Sequence, residues 1–248
     1  MRERTRQERE QMPAIEEAPE DPASGEGEES PPPEDAEEPE RGRRGFLGPP
    51  TGFYFYGVVR SRGAWRQRGN ERDEIVRVRY RDLEALVRSV PFRLPVMDAE
   101  HVQDHQRAVE QIMRRATVLP APYGVVFRGR RAVVRFLEDQ YLVLDEGLAF
   151  LEGHFELRLH VVPAAPGDPP AELEDLAVHA YAELRRFARA AIPFPRDGRR
   201  LITAAFLVER HAWIEFINRS DDLSSAHPEL IFDVTGPWPP YDFVRMSV

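Results

Sequence analysis

Apolar and branched side chains near the start of the chain follow the period of β-strands. Residues 53–59 form a run of aromatic and branched side chains, and residues 74–80 alternate apolar and charged positions from Val76. An arginine-rich loop, residues 61–72, lies between them. The pattern that follows predicts a short helical turn at residues 82–86 and a strand at residues 87–90.

At Asp98 the period of the apolar positions changes from two to three and four. Asp98 is a candidate N-cap, and one helical face then carries Val102, His105, Val109, Ile112 and Met113. Residues 118–127 predict an irregular link into a further short strand. A second apolar stripe predicts a helix that Gly147 weakens without breaking and that ends at Gly153: Tyr141, Leu144, Leu148 and Leu151.

The last hundred residues show the element order β-α-β-β-α-β. One strand face carries Phe155, Leu157, Leu159 and Val161. The other predicted elements are helices at residues 173–187 and 211–218, strands at 192–195, 201–208 and 229–234, and a hairpin turn at 196–198. This order is the ferredoxin-like arrangement of two helices on a four-stranded antiparallel sheet. The sequence therefore predicts an α+β protein of two domains, an N-terminal α+β domain at 46–152 and a C-terminal ferredoxin-like domain at 153–248.

Negative charge is concentrated at the start of the 248-residue chain. Residues 11–40 contain twelve acidic residues, seven prolines and no basic residue, whereas the whole chain has a net charge of −9. Such a segment buries too little apolar surface to order itself, so residues 1–45 are expected to form a disordered acidic tail. The remainder is close to neutral, with arginines dispersed among acids, and we expect no binding of nucleic acid.

Two missing residue types exclude whole classes of chemistry. The chain has no cysteine, which excludes thiol nucleophiles, thiolate metal sites and disulfides. It also has no lysine, because all 34 basic residues are arginine, so a phosphate-loop lysine and a Schiff base are excluded. No glycine-rich phosphate cradle or serine elbow is present. We therefore expect neither an enzyme nor a cofactor.

Histidine pairs offer the remaining candidates for a metal site. His101 and His105 lie four residues apart on the predicted helix, but Val102 stands where a zinc protease carries its glutamate, so one buried and one exposed histidine is the favoured interpretation. His154 and His160 share a strand face, yet about 20 Å separates them at ~3.3 Å per residue. The sequence predicts no metal site.

Neither a secretory leader nor a membrane span is predicted. The first residues, RERTRQERE, lack an apolar core, and the longest apolar run, residues 201–208, is far shorter than a bilayer span. We therefore expect a cytoplasmic protein that does not bind membranes.

Four segments, in order along the chain, resemble the gas vesicle protein L/F family (GvpL/GvpF). They are residues 54–59 (Tyr-Phe-Tyr-Gly-Val-Val), His105 with residues 118–120 and Gly124, residues 205–210 (Ala-Phe-Leu-Val-Glu-Arg), and residues 236–244 (Gly-Pro-Trp-Pro-Pro-Tyr-Asp-Phe-Val). The last two are the most specific. One departure is Pro122, which stands where family members usually carry an arginine.

The resemblance implies a non-enzymatic role in gas vesicles, the gas-filled protein organelles that give some microbes buoyancy. It implies an accessory or minor structural protein that binds the small shell protein and other accessory proteins during nucleation and assembly, in the cytoplasm or on the vesicle. No small-molecule substrate is expected. A small-molecule-sensing α+β module is the alternative, because ferredoxin-like domains often bind ligands between helices and sheet. An enzyme that uses His101, His105 or Glu209 is a third hypothesis.

The C-terminal motif, residues 235–244, supplies the candidate site residues: Gly236, Pro237, Trp238, Pro239, Pro240, Tyr241 and Phe243. Because proline fixes φ, the three prolines are expected to turn the chain off the last strand. Trp238, Tyr241 and Phe243 are then expected to pack against the body of the protein. We therefore predict that the motif first stabilises the fold and secondarily contacts a partner.

Overall fold

The computed structural model describes residues 51–61, 75–244 and 246 of the chain. Over these ranges the fold is mixed α+β, with two antiparallel sheets and five α-helices. The predicted acidic tail and all but the first residue of the arginine-rich loop lie outside the described residues. Every helix in the described ranges falls short of the length and apolarity that a bilayer span requires.

The first sheet has the strand order β2-β3-β1-β4, with β5 also paired to β1. Its strands are β1 (Thr51–Arg60), β2 (Val76–Tyr80), β3 (Leu83–Pro91), β4 (Val118–Pro120) and β5 (Val126–Phe127). The central strand β1 pairs along its length with β3 and uses its other edge for β4 and β5. Central strands are covered on both faces, which explains the nearly continuous burial of residues 54–59.

The helical turn predicted at residues 82–86 is wrong. Leu83 begins strand β3, and the side chains of residues 83–87 are all buried. The two apolar positions three apart, Leu83 and Leu86, resemble one helical turn. Glu84 is buried too, where Ser61 and Arg77 donate to its carboxylate, so this strand lacks the exposed polar alternation that separates a strand from a helical turn.

Three helices accompany the first sheet: α1 (Ala99–Met113), α2 (Arg130–Asp139) and α3 (Tyr141–Leu151). The predicted N-cap is confirmed, because the Asp98 side chain accepts a hydrogen bond from the His101 backbone N–H at 2.9 Å. Helix α3 has the predicted buried face of Leu144, Leu148 and Leu151. Helix α2 was not among the predicted elements, although Val133, Phe136 and Leu137 are buried at helical spacing.

The second half contains the predicted order β-α-β-β-α-β. Its elements are β6 (His154–Pro163), α4 (Ala171–Leu184) with a 3₁₀ turn (Arg185–Phe187), β7 (Ala190–Pro193), β8 (Ile202–Glu209), α5 (Trp213–Ala226) and β9 (Leu230–Trp238). The sheet order is β7-β8-β6-β9, and each neighbouring pair is antiparallel. Helix α5 and strand β9 extend eight and four residues beyond the predicted ends at 218 and 234.

Both faces of the second sheet are covered. Phe155, Leu157, Leu159 and Val161 share a core cluster with α4 and α5, and that cluster also contains Tyr54 and Val109 from the first half. Leu207, from strand β8, joins a second cluster with Leu144, Leu148 and Leu151 of α3. Because apolar surfaces of the two halves are buried together, residues at this junction contribute to the stability of both.

Candidate functional site

The C-terminal motif begins inside the last strand and then leaves it. The prediction that the motif follows the strand is wrong in part, since β9 includes Gly236, Pro237 and Trp238. The chain turns only after Trp238, at the buried prolines 239 and 240. The Tyr241 N–H donates to the Pro239 carbonyl at 2.8 Å, which closes the turn. The fixed φ of proline suits this reversal.

Gly236 brings strands β9 and β6 unusually close together. The pairing register shifts between Glu156 and Arg158, opposite the cis Gly236–Pro237 peptide bond. Gly236 has φ +129°, and a Cβ atom at this position would lie 2.9 Å from the Glu156 carbonyl oxygen. Glycine alone accepts both this backbone angle and this approach without strain.

The three aromatic residues of the motif have different environments. Trp238 is 39% exposed, and its indole N–H donates to the Thr235 hydroxyl at 3.2 Å, so its ring is only partly covered and belongs to neither core cluster. Tyr241 packs against the cluster that contains Tyr54 and Leu157, and Phe243 packs against the cluster of helix α3. Two of the three rings therefore join the core, whereas the third lies at a sheet edge.

A partly buried charged cluster holds the turn to strand β6. The Arg158 guanidinium bonds Glu156 at 2.9 Å and also forms an ion pair with the Asp242 carboxylate. The Asp242 N–H donates to the second Glu156 oxygen at 3.2 Å. Glu156 is only 1% exposed, so its carboxyl group depends on these partners for the hydrogen bonds that water would supply.

Glu156 has a strongly perturbed acidity. Burial raises the pKa of Glu156 to about 8, and the neighbouring Asp242 side chain adds to the rise, while Arg158 opposes it. Two carboxyl groups share one guanidinium here, so protonating one of them relieves their repulsion and leaves the cluster neutral. Glu156 is therefore favoured in its protonated form near neutral pH.

Val244, the last residue of the motif, lies beside Gly147 of helix α3. A Cβ atom on Gly147 would lie 3.4 Å from a methyl carbon of Val244 and 3.2 Å from one of Leu119. A larger residue at position 147 would press on both side chains. The glycine that weakens helix α3 thus lets the C-terminal segment and strand β4 approach the helix closely.

His105 lies at the centre of a second cluster, formed by rings on the first sheet. It is 3% exposed, and its Nε2 lies 3.0 Å from the Ala121 carbonyl oxygen. A carbonyl can only accept, so Nε2 carries the proton and Nδ1 accepts from the Tyr54 hydroxyl at 2.9 Å. Tyr56 stacks on the imidazole. Burial lowers the pKa of His105, so the ring stays neutral.

A model of one family covers nearly all of the described chain. The family, described as gas vesicle synthesis protein GvpL/GvpF, matches residues 52–177 and 170–245. The chain belongs to the GvpL/GvpF family. The resemblance inferred from the four sequence segments is therefore confirmed.

Characterised relatives carry names from the same family. Gas vesicle protein F1 of Halobacterium salinarum is 26% identical over 182 residues, which cover 71% of this chain and 84% of that protein. Gas vesicle protein L of a Streptomyces species is 25% identical over 223 residues, which cover 68% and 83%. Both F and L proteins are therefore similar to this chain along most of their length.

Two crystal structures show the same fold. GvpF from Anabaena sp. PCC7120 has a TM-score of 0.70 at 17% identity, and the match covers 80% of this chain and 98% of that one. GvpF from Microcystis aeruginosa has a TM-score of 0.66 at 15% identity, with 78% and 99% covered. Such low identity supports a shared fold only.

In this GvpL/GvpF chain, the histidines considered for metal binding are separated. His101 is exposed and bonds Asp98 at 2.7 Å, whereas His105 is buried. The interpretation of one exposed and one buried histidine is confirmed. His154 bonds the Glu152 carbonyl, and His160 lies 3.1 Å from the Thr203 hydroxyl. Within the described ranges, no group of three or more His, Asp or Glu side chains could hold a metal ion.

Sequence reasoning missed Glu156 and Arg158. Both lie on β6 between the predicted inward residues, so alternation assigned them to the opposite face without identifying what covers it. Their partner Asp242 is 84 residues beyond Arg158 in the sequence. The available signal was two opposite charges between apolar residues of the strand.

Proposed function

We propose that this chain acts in gas vesicle formation as a non-enzymatic accessory or minor structural protein. In this role it binds the shell protein and other accessory proteins during nucleation and assembly, in the cytoplasm or on the growing vesicle. The observation that carries the proposal is the family match over residues 52–177 and 170–245. The similarity to gas vesicle proteins F1, F2 and L supports it.

A role without catalysis fits the use of the candidate reactive groups. Both ring nitrogens of His105 are engaged in hydrogen bonds, and Glu156 is engaged with Arg158 and the turn. Glu209 is paired with His211 at 3.3 Å on the surface. These contacts account for the groups as parts of the fold, which favours a binding role over an enzyme.

We further propose two domains, divided near residue 152, of which the second is ferredoxin-like. The element order and the sheet order β7-β8-β6-β9 support this assignment. The C-terminal motif then has a structural task first: its turn ties the last strand to β6 and to helix α3. Trp238, at the exposed end of that strand, is the motif residue best placed to contact a partner.

The outer edge of strand β9 is the proposed contact surface. β9 is an edge strand, and an extended segment of a partner adds to such an edge through backbone hydrogen bonds. Ile231, 49% exposed, and Trp238 place apolar surface along it. A β-segment of the shell protein is the occupant that the proposed role implies.

A pull-down of the shell protein by purified chain tests this role. Ile231→Arg should lower the recovered shell protein several-fold, because the charge blocks pairing at an apolar edge. The matched control is Val178→Arg on helix α4, where a similarly exposed side chain (55%) lies away from the edge. If both variants recover equal amounts of shell protein, the outer edge of strand β9 is not the contact surface. Normal vesicles in a deletion strain, together with no recovery of any vesicle protein, would refute the proposed function itself.

A further inference from the structure

Residues 239–244, here named the C-terminal strap, follow strand β9 and lie against the body of the protein. The strap side chains that pack against the two core clusters are Tyr241, Phe243 and Val244. Within the described part of the chain, the hydrogen bonds from the strap to the body go to Glu156 and Arg158 of strand β6 alone. The polar attachment of the strap therefore depends on one charged cluster.

This cluster contains two carboxyl groups and one guanidinium group. A single terminal nitrogen of Arg158 bonds a carboxylate oxygen of Glu156 at 2.9 Å and also bonds the Asp242 carboxylate, so the two acidic side chains meet at one donor. Glu156 is 1% exposed, so water cannot reach it to offset the repulsion between two ionised carboxylates. A proton on Glu156 removes this repulsion and lets its side chain donate to the Asp242 carboxylate. The geometry therefore favours one proton shared by the two acids.

The charged and titratable side chains around Glu156 and its contacts lie on several elements: Arg158 on its own strand, Asp242 and Tyr241 on the strap, Arg189 beside strand β8, and Glu110 on helix α1. The residues paired with Glu156 on β8 and β9 are the uncharged Leu207 and Trp238. Arg189 places its guanidinium over a phenylalanine ring of helix α3, 5.0 Å from the ring centroid. Burial raises the pKa of Tyr241, and nearby carboxylates add to the rise, so Tyr241 stays neutral. Without the shared proton, the cluster therefore holds two negative charges against one positive charge.

We propose that the C-terminal strap is a proton-dependent latch. One proton, shared by Glu156 and Asp242, holds residues 239–244 against strand β6 and helix α3, and the loss of this proton to solvent releases them. Glu156 lies on a central strand that pairs with β8 on one side and β9 on the other, so it cannot move away from the repulsion. Asp242 lies near a chain end, and its N–H to Glu156 is the one backbone hydrogen bond from the strap to the body within the described residues. The strap is therefore the part that moves.

The direction of the switch follows from the state that holds the proton. In the attached state, burial and the neighbouring Asp242 raise the pKa of Glu156 to about 8 from 4.5. In the released state Asp242 has left and water reaches Glu156, so its carboxyl group ionises near its ordinary pKa beside Arg158. A rise in pH between these two values therefore favours release, by at most about ten-fold per pH unit, and the effect levels off above about pH 8.

Release uncovers apolar surface that the strap covers when it is attached. Phe243 leaves the cluster of helix α3, and Val244 leaves its place beside Gly147. The buried Tyr241 hydroxyl has no hydrogen-bond partner among the described residues, so its departure from the core breaks no such bond. Because the strap begins directly after Trp238, release also frees the end of strand β9. The inference stands independently of the proposed role in gas vesicle formation.

Hydrogen exchange of the full chain, followed by mass spectrometry, tests the latch. The N–H groups of Tyr241, Asp242 and Phe243 are hydrogen-bonded in the attached strap, whereas a peptide from strand β8 reports unfolding of the whole fold. Protection of the strap should be lower than that of β8 by about ten-fold or more, because release needs no global unfolding. From about pH 6 to about pH 8, after correction for the chemical exchange rate, strap protection should fall by about ten-fold or more. Urea below the unfolding transition should lower the protection of β8 and leave that of the strap unchanged.

Two variants locate the proton on this pair of acids. Glu156→Gln cannot ionise, and its amide can donate to Asp242 as the protonated acid does, so strap protection should be nearly the same at both ends of the pH range. Asp242→Asn removes the second negative charge and should also reduce the pH dependence, which keeps the test decisive if the first variant folds poorly. The matched control, Glu172→Gln, changes an exposed carboxylate on helix α4 and should retain the pH dependence of the natural chain.

Three results would overturn the inference. Equal protection of the strap and of strand β8 at every pH would mean that residues 239–244 leave the body only when the whole chain unfolds. Strap protection that stays constant across the pH range in the natural chain would exclude a proton as the latch. An undiminished pH dependence in both the Glu156 and the Asp242 variants would place the responsible proton on another group.

Discussion

Replacing Glu156 by glutamine should remove much of the pH dependence of stability. In the folded chain Glu156 is buried against Arg158 and the Asp242 N–H, and its pKa is raised to about 8 from an ordinary 4.5. Glutamine keeps a carbonyl oxygen for these donors but cannot ionise. Differences between the two chains therefore report the ionisation of this one buried group.

The sign and size of the effect follow from proton linkage. Between the two pKa values the folded chain holds a proton that the unfolded chain has lost, so its stability decreases as pH rises. The maximum slope for one proton is about 1.4 kcal/mol per pH unit, and the decrease levels off above about pH 8. From about pH 5.5 to about pH 7.5 the Gln variant should therefore gain up to about 3 kcal/mol relative to the natural chain.

Urea unfolding followed by tryptophan fluorescence measures this difference at several pH values. Glu172→Gln is the matched control, because Glu172 is exposed in the first turn of helix α4. The control should leave the pH dependence unchanged. If the free energies of unfolding of the natural chain and the Glu156 variant run parallel across the pH range, Glu156 ionises normally and the argument from burial is incorrect.

Three further substitutions test other parts of the motif through urea unfolding. Tyr241→Phe should be neutral or stabilising by about 1 kcal/mol, because the buried Tyr241 hydroxyl finds no hydrogen-bond partner among the described residues; a large loss would reveal a missing partner. Gly236→Ala should cost about 1–3 kcal/mol through strain and contact with the Glu156 carbonyl, and a neutral result would contradict the close approach. Trp238→Ala should cost only about 1–2 kcal/mol, below the 3–5 of a fully buried ring, while shell-protein recovery falls in a pull-down; a larger loss of stability with unchanged recovery would make the residue structural.

Periodicity predicted the elements whose burial is one-sided. Helices α1 and α3 show their core face directly in the sequence, and each was located to within a few residues. Strand β6 was also located, because its apolar residues alternate even though Glu156 on its other face is buried as well. The failure at Leu83 has a physical cause, since a strand buried on both faces has no polar alternation. Helix α2 was missed although its buried positions have helical spacing, because it follows a short irregular link and has no side-chain cap.

Only part of the candidate site could be predicted from the sequence. The rarity of the motif identified residues 236–244, and proline geometry correctly predicted a turn. What holds the turn could not be predicted, because Glu156 and Arg158 lie about eighty residues away and the covering of a strand's second face depends on tertiary structure. The partial exposure of Trp238 could not be predicted for the same reason, because it depends on where strand β9 ends.

The motif combines several geometric demands in one short segment. Gly236 must accept a positive φ beside the Glu156 carbonyl, and Tyr241 must reach the core shared by the two halves. Asp242 must meet Arg158, and Val244 must fit against Gly147. Each demand involves a different element, so one substitution in the motif disturbs β6, helix α3 or the shared core. This supports a structural origin for most of the motif, and the exposed edge at Trp238 is the part for which we propose a partner contact.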